Sequence, residues 1–132
     1  MNLKDYLKDT DGRGVLATSD ADGQVDVAVY SKPHCMEDKT IAFVMRERLT
    51  YKNLKDNSRA AYLFMAQNGY TGFRLFLTKI REDNDPELIK NLSRRNLSPE
   101  EDTAKGPKHV VYFTVDKALE LIGAAEINLT DV

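Results

Sequence analysis

Asp20-Ala21-Asp22-Gly23 constrains this chain more than any other stretch, because it joins two segments that both read as strands. On one side runs Gly14 to Ser19. On the other runs Gln24 to Ser31, where Val25, Val27 and Val29 alternate with Asp26, Ala28 and Tyr30. Side chains point to opposite faces of a strand in turn, so this alternation marks a pleated segment with one apolar face. Asp-Gly between two such segments is the signature of a tight hairpin, since glycine reaches positive φ without a steric cost.

Further strands are expected over Thr40–Met45, Arg59–Ala66, Phe73–Ile80, His109–Asp116 and, as a last strand, Ala118–Ile122. Ile41 to Met45 is apolar at every position, so both faces of that strand should be covered, inside a barrel or beneath helices. Leu3, Tyr6 and Leu7 have helical spacing, and Asp11-Gly12-Arg13-Gly14 ends that helix. Asp85 caps another helix, with Pro86 at its first position and Leu88, Ile89 and Leu92 as its apolar stripe. Arg94-Arg95-Asn96, in its last turn, suits the helix dipole and reads as solvated more readily than as a second basic patch. Ser31–Lys39 reads as a loop, and Leu97–Pro107, polar with two prolines and a glycine, as the most mobile segment. The strands do not alternate regularly with helices, which argues against a parallel doubly wound sheet. The expected fold is mainly β, an antiparallel barrel with two or three short helices.

At 132 residues the chain is expected to form a single domain, 1–132. A net charge of -2 offers no general attraction to nucleic acid or to anionic membranes, so an anion site must be local. Cys35 is the single cysteine and cannot form an internal disulfide, which suits a reducing, cytoplasmic setting. His34, Cys35 and Glu37 lack the companions and spacing of a metal site, and no signal peptide or membrane span is visible. His109, at the edge of its strand, reads as structural or solvated rather than catalytic.

The local anion site has one good candidate. In Arg46-Glu47-Arg48-Leu49-Thr50-Tyr51-Lys52-Asn53-Leu54 a strand ends and a short helix is expected to begin near Thr50, whose hydroxyl suits a cap. First-turn N–H groups and the helix dipole attract anions, and Arg46, Arg48 and Lys52 add charge. Residue types alone leave open the alternative of a solvated surface pairing with Glu37, Glu47 and Asp56.

Taken in order, these segments resemble the small FMN-binding split barrels related to pyridoxamine 5'-phosphate oxidase. The residues that carry the resemblance are the hairpin Ala17 to Gly23, the strand Val25 to Tyr30, and Arg48-Leu49-Thr50-Tyr51-Lys52-Asn53-Leu54-Lys55-Asp56-Asn57-Ser58-Arg59-Ala60. The order of the later elements, the Gly72-Phe73 strand, the Pro86 helix and the His109 strand, agrees. The resemblance implies a six-stranded antiparallel, Greek-key split barrel that forms a homodimer, with FMN in grooves at the subunit interface. It places the flavin phosphate on Arg48 and Thr50, with Lys52 and Asn53 nearby. Val29, Tyr30 and Ser31 would face the ring, and Met65 or Phe64 would line it. Two departures stand out: Thr50 replaces a lysine common among relatives, and Ser58 replaces a proline. The chain ends at Val132 without the arginine-containing carboxyl-terminal segment of the vitamin B6 oxidase, so B6 oxidation is not expected. A flavin-dependent oxidoreductase is the first functional expectation. An electron-transfer carrier, or a haem- or deazaflavin-binding member of the same fold, is the alternative.

Overall fold

The computed structural model describes residues 1–93 and 97–130; the Arg94-Arg95-Asn96 patch lies outside the described residues. The chain runs α1 (Leu3–Asp9), β1 (Gly12–Ser19), β2 (Val25–Val29), β3 (His34–Cys35), β4 (Ile41–Arg46), α2 (Leu49–Asp56), β5 (Arg59–Ala66), β6 (Gly72–Asp83), α3 (Pro86–Leu92), α4 (Pro99–Ala104) and β7 (Lys108–Glu120). The strands form one sheet in the order β2-β1-β5-β6-β7-β4-β3, and every pairing is antiparallel. The fold is mainly β and antiparallel, as expected, but the described residues form seven strands rather than six and four helices rather than two or three.

The expected hairpin is present. Asp20 Oδ1 accepts from the backbone N–H groups of Asp22 and Gln24, both at 2.9 Å, and Gly23 takes φ +84°. The register Val15↔Val29 to Ser19↔Val25 follows from that turn.

Aromatic packing curls the sheet on itself. Phe43 on β4 and Tyr62 on β5 have ring centroids 5.1 Å apart, although β6 and β7 lie between their strands in the sheet. Only a sheet folded around its own inner face brings those rings together. Phe43 also meets Tyr30 edge-on at 5.7 Å and Phe113 at 5.9 Å. Such aromatic pairs are each worth about 0.5–1.5 kcal/mol beyond the area they bury. Leu3 and Leu7 of α1 add to this same core. Asn2 caps α1 by accepting from Asp5 N at 3.0 Å, and Lys32 Nζ closes its other end on the carbonyls of Leu7 and Thr10 at 2.6 and 2.8 Å.

Tyr62 also demands a glycine. A Cβ at Gly14 would come within 1.8 Å of the Tyr62 hydroxyl oxygen, so the Tyr62 ring can lie over β1 only where no side chain stands. The same hydroxyl lies 3.3 Å from the carbonyl oxygens of Tyr30 and Ser31, fixing the chain just past β2.

Three expectations need correction. The Ser31–Lys39 loop contains β3, two residues that pair His34↔Ala42 and Cys35↔Ile41; two residues are too few to alternate visibly. The segments expected as separate strands around His109–Asp116 and Ala118–Ile122 are one strand, β7. The register steps from Phe76↔Lys117 to Leu77↔Val115, so Asp116 is a bulge, and a bulge reverses the alternation without ending the strand. Leu97–Pro107, where no helix was expected, contains α4, capped by Ser98, which accepts from Glu101 N at 3.2 Å while Glu101 Oε1 accepts from the Ser98 hydroxyl at 3.0 Å.

α3 forms as expected, with Asp85 accepting from Glu87 N at 3.1 Å and Pro86 in the first turn. Its Leu88, Ile89 and Leu92 cover Ala42, Val110 and Tyr112 on the outside of β4 and β7. That cover is why the Ile41–Met45 run is apolar at every position: Phe43 and Met45 fill the barrel while Ala42 and Val44 lie under a helix.

Candidate functional site

β2 forms one edge of the sheet, and its outer side has no strand partner among the described residues. The curl brings β2 opposite β4 without pairing them, and the gap between the two is a cleft of about 430 Å3. Asp26 to Lys32 form one wall, while Phe43, Val44 and Arg46 form the other. Arg48, Leu49 and Thr50 lie at the start of α2, and Leu97, Lys105 and Lys108 reach in from around α4.

The start of α2 leaves donors available. Arg48 occupies the cap position with an extended backbone, no side chain caps the helix, and its first turn holds no acid. First-turn N–H groups without a capping acceptor are open to water or to an anion. The helix begins near Thr50, as expected, but Thr50 is inside its first turn rather than its cap. Thr50 is buried, and its hydroxyl bonds the phenol of Tyr30. Burial pushes the Tyr30 phenol above its ordinary value, against the opposing influence of that bond and of the nearby Arg48 charge.

The arginines divide their work. Arg46 is consumed internally: its guanidinium donates to the Gly106 carbonyl at 2.6 Å, the Asp102 carbonyl at 3.2 Å and Asp102 Oδ1 at 2.7 Å. Lys108 Nζ lies 2.9 Å from the same carboxylate. The bonds from Arg46 and then Lys108 hold the Asp102 carboxyl below its usual range. Arg46 thus anchors α4, which buries no side chain of its own, against the barrel. The Arg48 guanidinium has no ion-pair or hydrogen-bond partner among the described residues, and it lines the cleft.

Of the residues singled out from sequence, Arg48, Thr50, Val29, Tyr30 and Ser31 converge on this cleft. The others are placed elsewhere. Lys52 is exposed and is not part of the lining. Asn53 is buried and donates from Nδ2 to Thr18 Oγ1 at 3.1 Å, tying α2 to β1. Met65 stands on β5 opposite Gly72 and Arg13, outside the lining, and Phe64 packs with Phe73 in the core. Sequence reasoning missed Phe43, Val44, Lys105 and Lys108 as lining residues. Their approach depends on the curl and on the path around α4, and neither leaves a local signal.

A polar clamp holds α2 to the barrel from behind. Tyr51 stacks on His109 with centroids 4.6 Å apart and donates from its hydroxyl to Glu82 at 2.5 Å. Lys55 and Lys79 both bond Glu82, and His109 Nε2 lies 2.7 Å from Glu47. His109 is thus structural, as its place at a strand edge suggests.

No family model and no curated protein matches the sequence. Solved structures do match. The chain is similar to HupZ from Group A Streptococcus, with a TM-score of 0.73, 21% identity and 96% of each chain covered. It is also similar to an FMN-binding protein from Syntrophomonas wolfei subsp. wolfei, with a TM-score of 0.73, 18% identity, and 92% of this chain and 85% of that one covered. A protein of the pyridoxinephosphate oxidase family from Clostridium acetobutylicum, related to general stress protein 26, matches with a TM-score of 0.63, 14% identity, and 93% and 88% covered. This chain has the fold of the pyridoxamine 5'-phosphate oxidase-like split barrels. The cleft is therefore the split between β2 and β4, and the fold positions α2 beside it.

The clamp yields a pH prediction for the split barrel. Burial by itself would raise the Glu82 carboxyl, but bonds from Lys79, Tyr51 and Lys55 outweigh it and bring the group down to about 2. A carboxylate whose folded value lies below its unfolded one contributes stability above the unfolded value, and that contribution is lost as pH falls toward the folded one. Wild type should lose stability between about pH 4.5 and 2 more steeply than Glu82→Gln, which should already be less stable at pH 7. Urea unfolding of both proteins across that range checks this, and parallel pH profiles would contradict it.

Proposed function

We propose that this protein is an FMN-dependent oxidoreductase acting as a homodimer, with the flavin phosphate at the start of α2 and the ring against Val29, Tyr30 and Ser31. The observation that carries the reading is the pairing of an unpartnered Arg48 guanidinium with an uncapped first turn of α2 at the mouth of a cleft. A dianionic phosphate ester matches those donors, since guanidinium binds phosphate oxygens in bidentate fashion and first-turn N–H groups point toward the same place. The cleft's volume falls within the roughly 300–1,000 Å3 of ordinary ligand sites. Its walls supply apolar surface from Val29, Phe43, Val44 and Leu49 for a planar ring. Bound FMN supplies hydride and single-electron chemistry, while the chain holds the phosphate, orients the ring and limits its access to water.

The homodimer rests on a separate feature. Val25, Val27 and Val29 share one face of an edge strand and are 70%, 67% and 83% exposed. An unpaired edge bearing a valine row is an association surface, and two of these valines, Val27 and Val29, line the cleft. A second copy placed there would cover the row and wall in the ligand.

Arg48→Ala is expected to weaken FMN binding by about 1.5–3 kcal/mol, roughly ten- to a hundredfold, the range for hydrogen bonds to a charged group. Flavin fluorescence titration reads this, and an unchanged affinity would move the phosphate elsewhere. With FMN bound, NADH or NADPH should bleach the flavin anaerobically, and failure of both to do so would overturn the oxidoreductase reading in favour of a carrier. Val27→Asp should convert a flavin-loaded dimer into a flavin-poor monomer in sedimentation velocity. A wild-type monomer that retains flavin would contradict the shared site.

A further inference from the structure

Lys32, His34 and Leu92 separate the flavin cleft from a second, larger cavity of about 780 Å3, to which the proposed function gives no role. Its volume is again that of a small-molecule site. The floor is apolar: the buried Leu7 and Tyr112 lie there beside Pro33, Met36 and Leu92.

The rim is cationic. Lys4 and Lys8 stand one helical turn apart, and so on one face of α1, and both line the cavity. Neither has a hydrogen-bond or ion-pair partner among the described residues. Across from them the Arg81 guanidinium lies 4.0 Å over the Tyr112 ring, and Asp38 accepts from it at 2.6 Å. Lys4, Lys8, Lys32 and Arg81 thus oppose only Glu37 and Asp38 in the lining. Asp38 is already engaged by Arg81 and, at 2.5 Å, by the Thr40 hydroxyl.

An apolar floor suits a flat hydrocarbon ring, and a planar guanidinium offers a face on which a ring can stack. Ammonium groups on flexible stems are suited to meet a carboxylate at the mouth without fixed geometry. We propose that this cavity binds an aromatic carboxylate, its ring on the outer face of the Arg81 guanidinium that covers Tyr112 and its carboxylate between Lys4 and Lys8. The site is independent of what the cleft holds. Its position across the Lys32–His34 wall makes it a place where a small acid would wait beside the cleft.

Isothermal titration with 2-naphthoate, and with 2-naphthamide as the uncharged control, tests this on wild type, on Lys4→Gln/Lys8→Gln and on Arg48→Ala. Both lysines are exposed, so the double variant should melt with wild type. Naphthoate should bind wild type at least about tenfold more tightly than naphthamide, and the double variant should lose at least about tenfold in naphthoate affinity. Arg48→Ala should bind naphthoate as wild type does. Equal affinity for acid and amide, no saturable binding at millimolar concentration, or full affinity in the lysine double variant would each overturn the proposal. Loss confined to Arg48→Ala would place the acid in the cleft instead, and overturn it as well.

Discussion

The contact between Phe43 and Tyr62 is the constraint on which the rest of the molecule depends, because it turns a seven-stranded antiparallel sheet into a curled one. Without that curl β2 and β4 would be distant strands of a flat sheet, and no cleft would exist between them. Tyr62 does two further things from the same position. Its hydroxyl forbids a side chain at position 14, and it lies against the Tyr30 and Ser31 carbonyls. One residue on β5 thereby sets the barrel's closure and the conformation of the cleft wall.

On this frame the charges sort by whether they are already spent. Arg46 and Lys108 share Asp102 and hold α4 in place, while Lys32 closes the end of α1. Lys55 and Lys79 hold Glu82, and through it Tyr51, so α2 sits firmly on the barrel. Surface ion pairs are worth little singly, but here each one positions an element beside a cavity. Of the cations with no hydrogen-bond or ion-pair partner for their side chains among the described residues, Arg48 and Lys105 line the cleft, and Lys4 and Lys8 line the second cavity. Both functional readings rest on that remainder, and they are separable because the two sets lie on different elements.

Much of this fold is legible in the order of the amino acids. The Asp20–Gly23 turn, the Asp85-Pro86 helix start and the doubly covered Ile41–Met45 strand are all local signals, and local signals survive folding. The features that the residues do not announce have a common physical source, which is that they are decided by distant parts of the chain. Asp116 reverses the alternation as a bulge, so a single long strand reads as two. Thr50 looks like a cap by residue type, but the chain enters the helix two residues earlier, at Arg48. Arg46 and Arg48 are indistinguishable as types in the sequence, and only the tertiary position of Asp102 assigns one to structure and leaves the other available. Asn53 is a polar residue whose use is internal, a bond to Thr18 that no pattern announces.

The claim that an anionic tail is gripped where β4 hands over to α2 is tested most directly by comparing FMN with riboflavin, which differ only in the phosphate. The account predicts that riboflavin binds at least about tenfold more weakly, since charged hydrogen bonds contribute about 1.5–3 kcal/mol. Equal affinity of the two ligands for wild-type protein would contradict it.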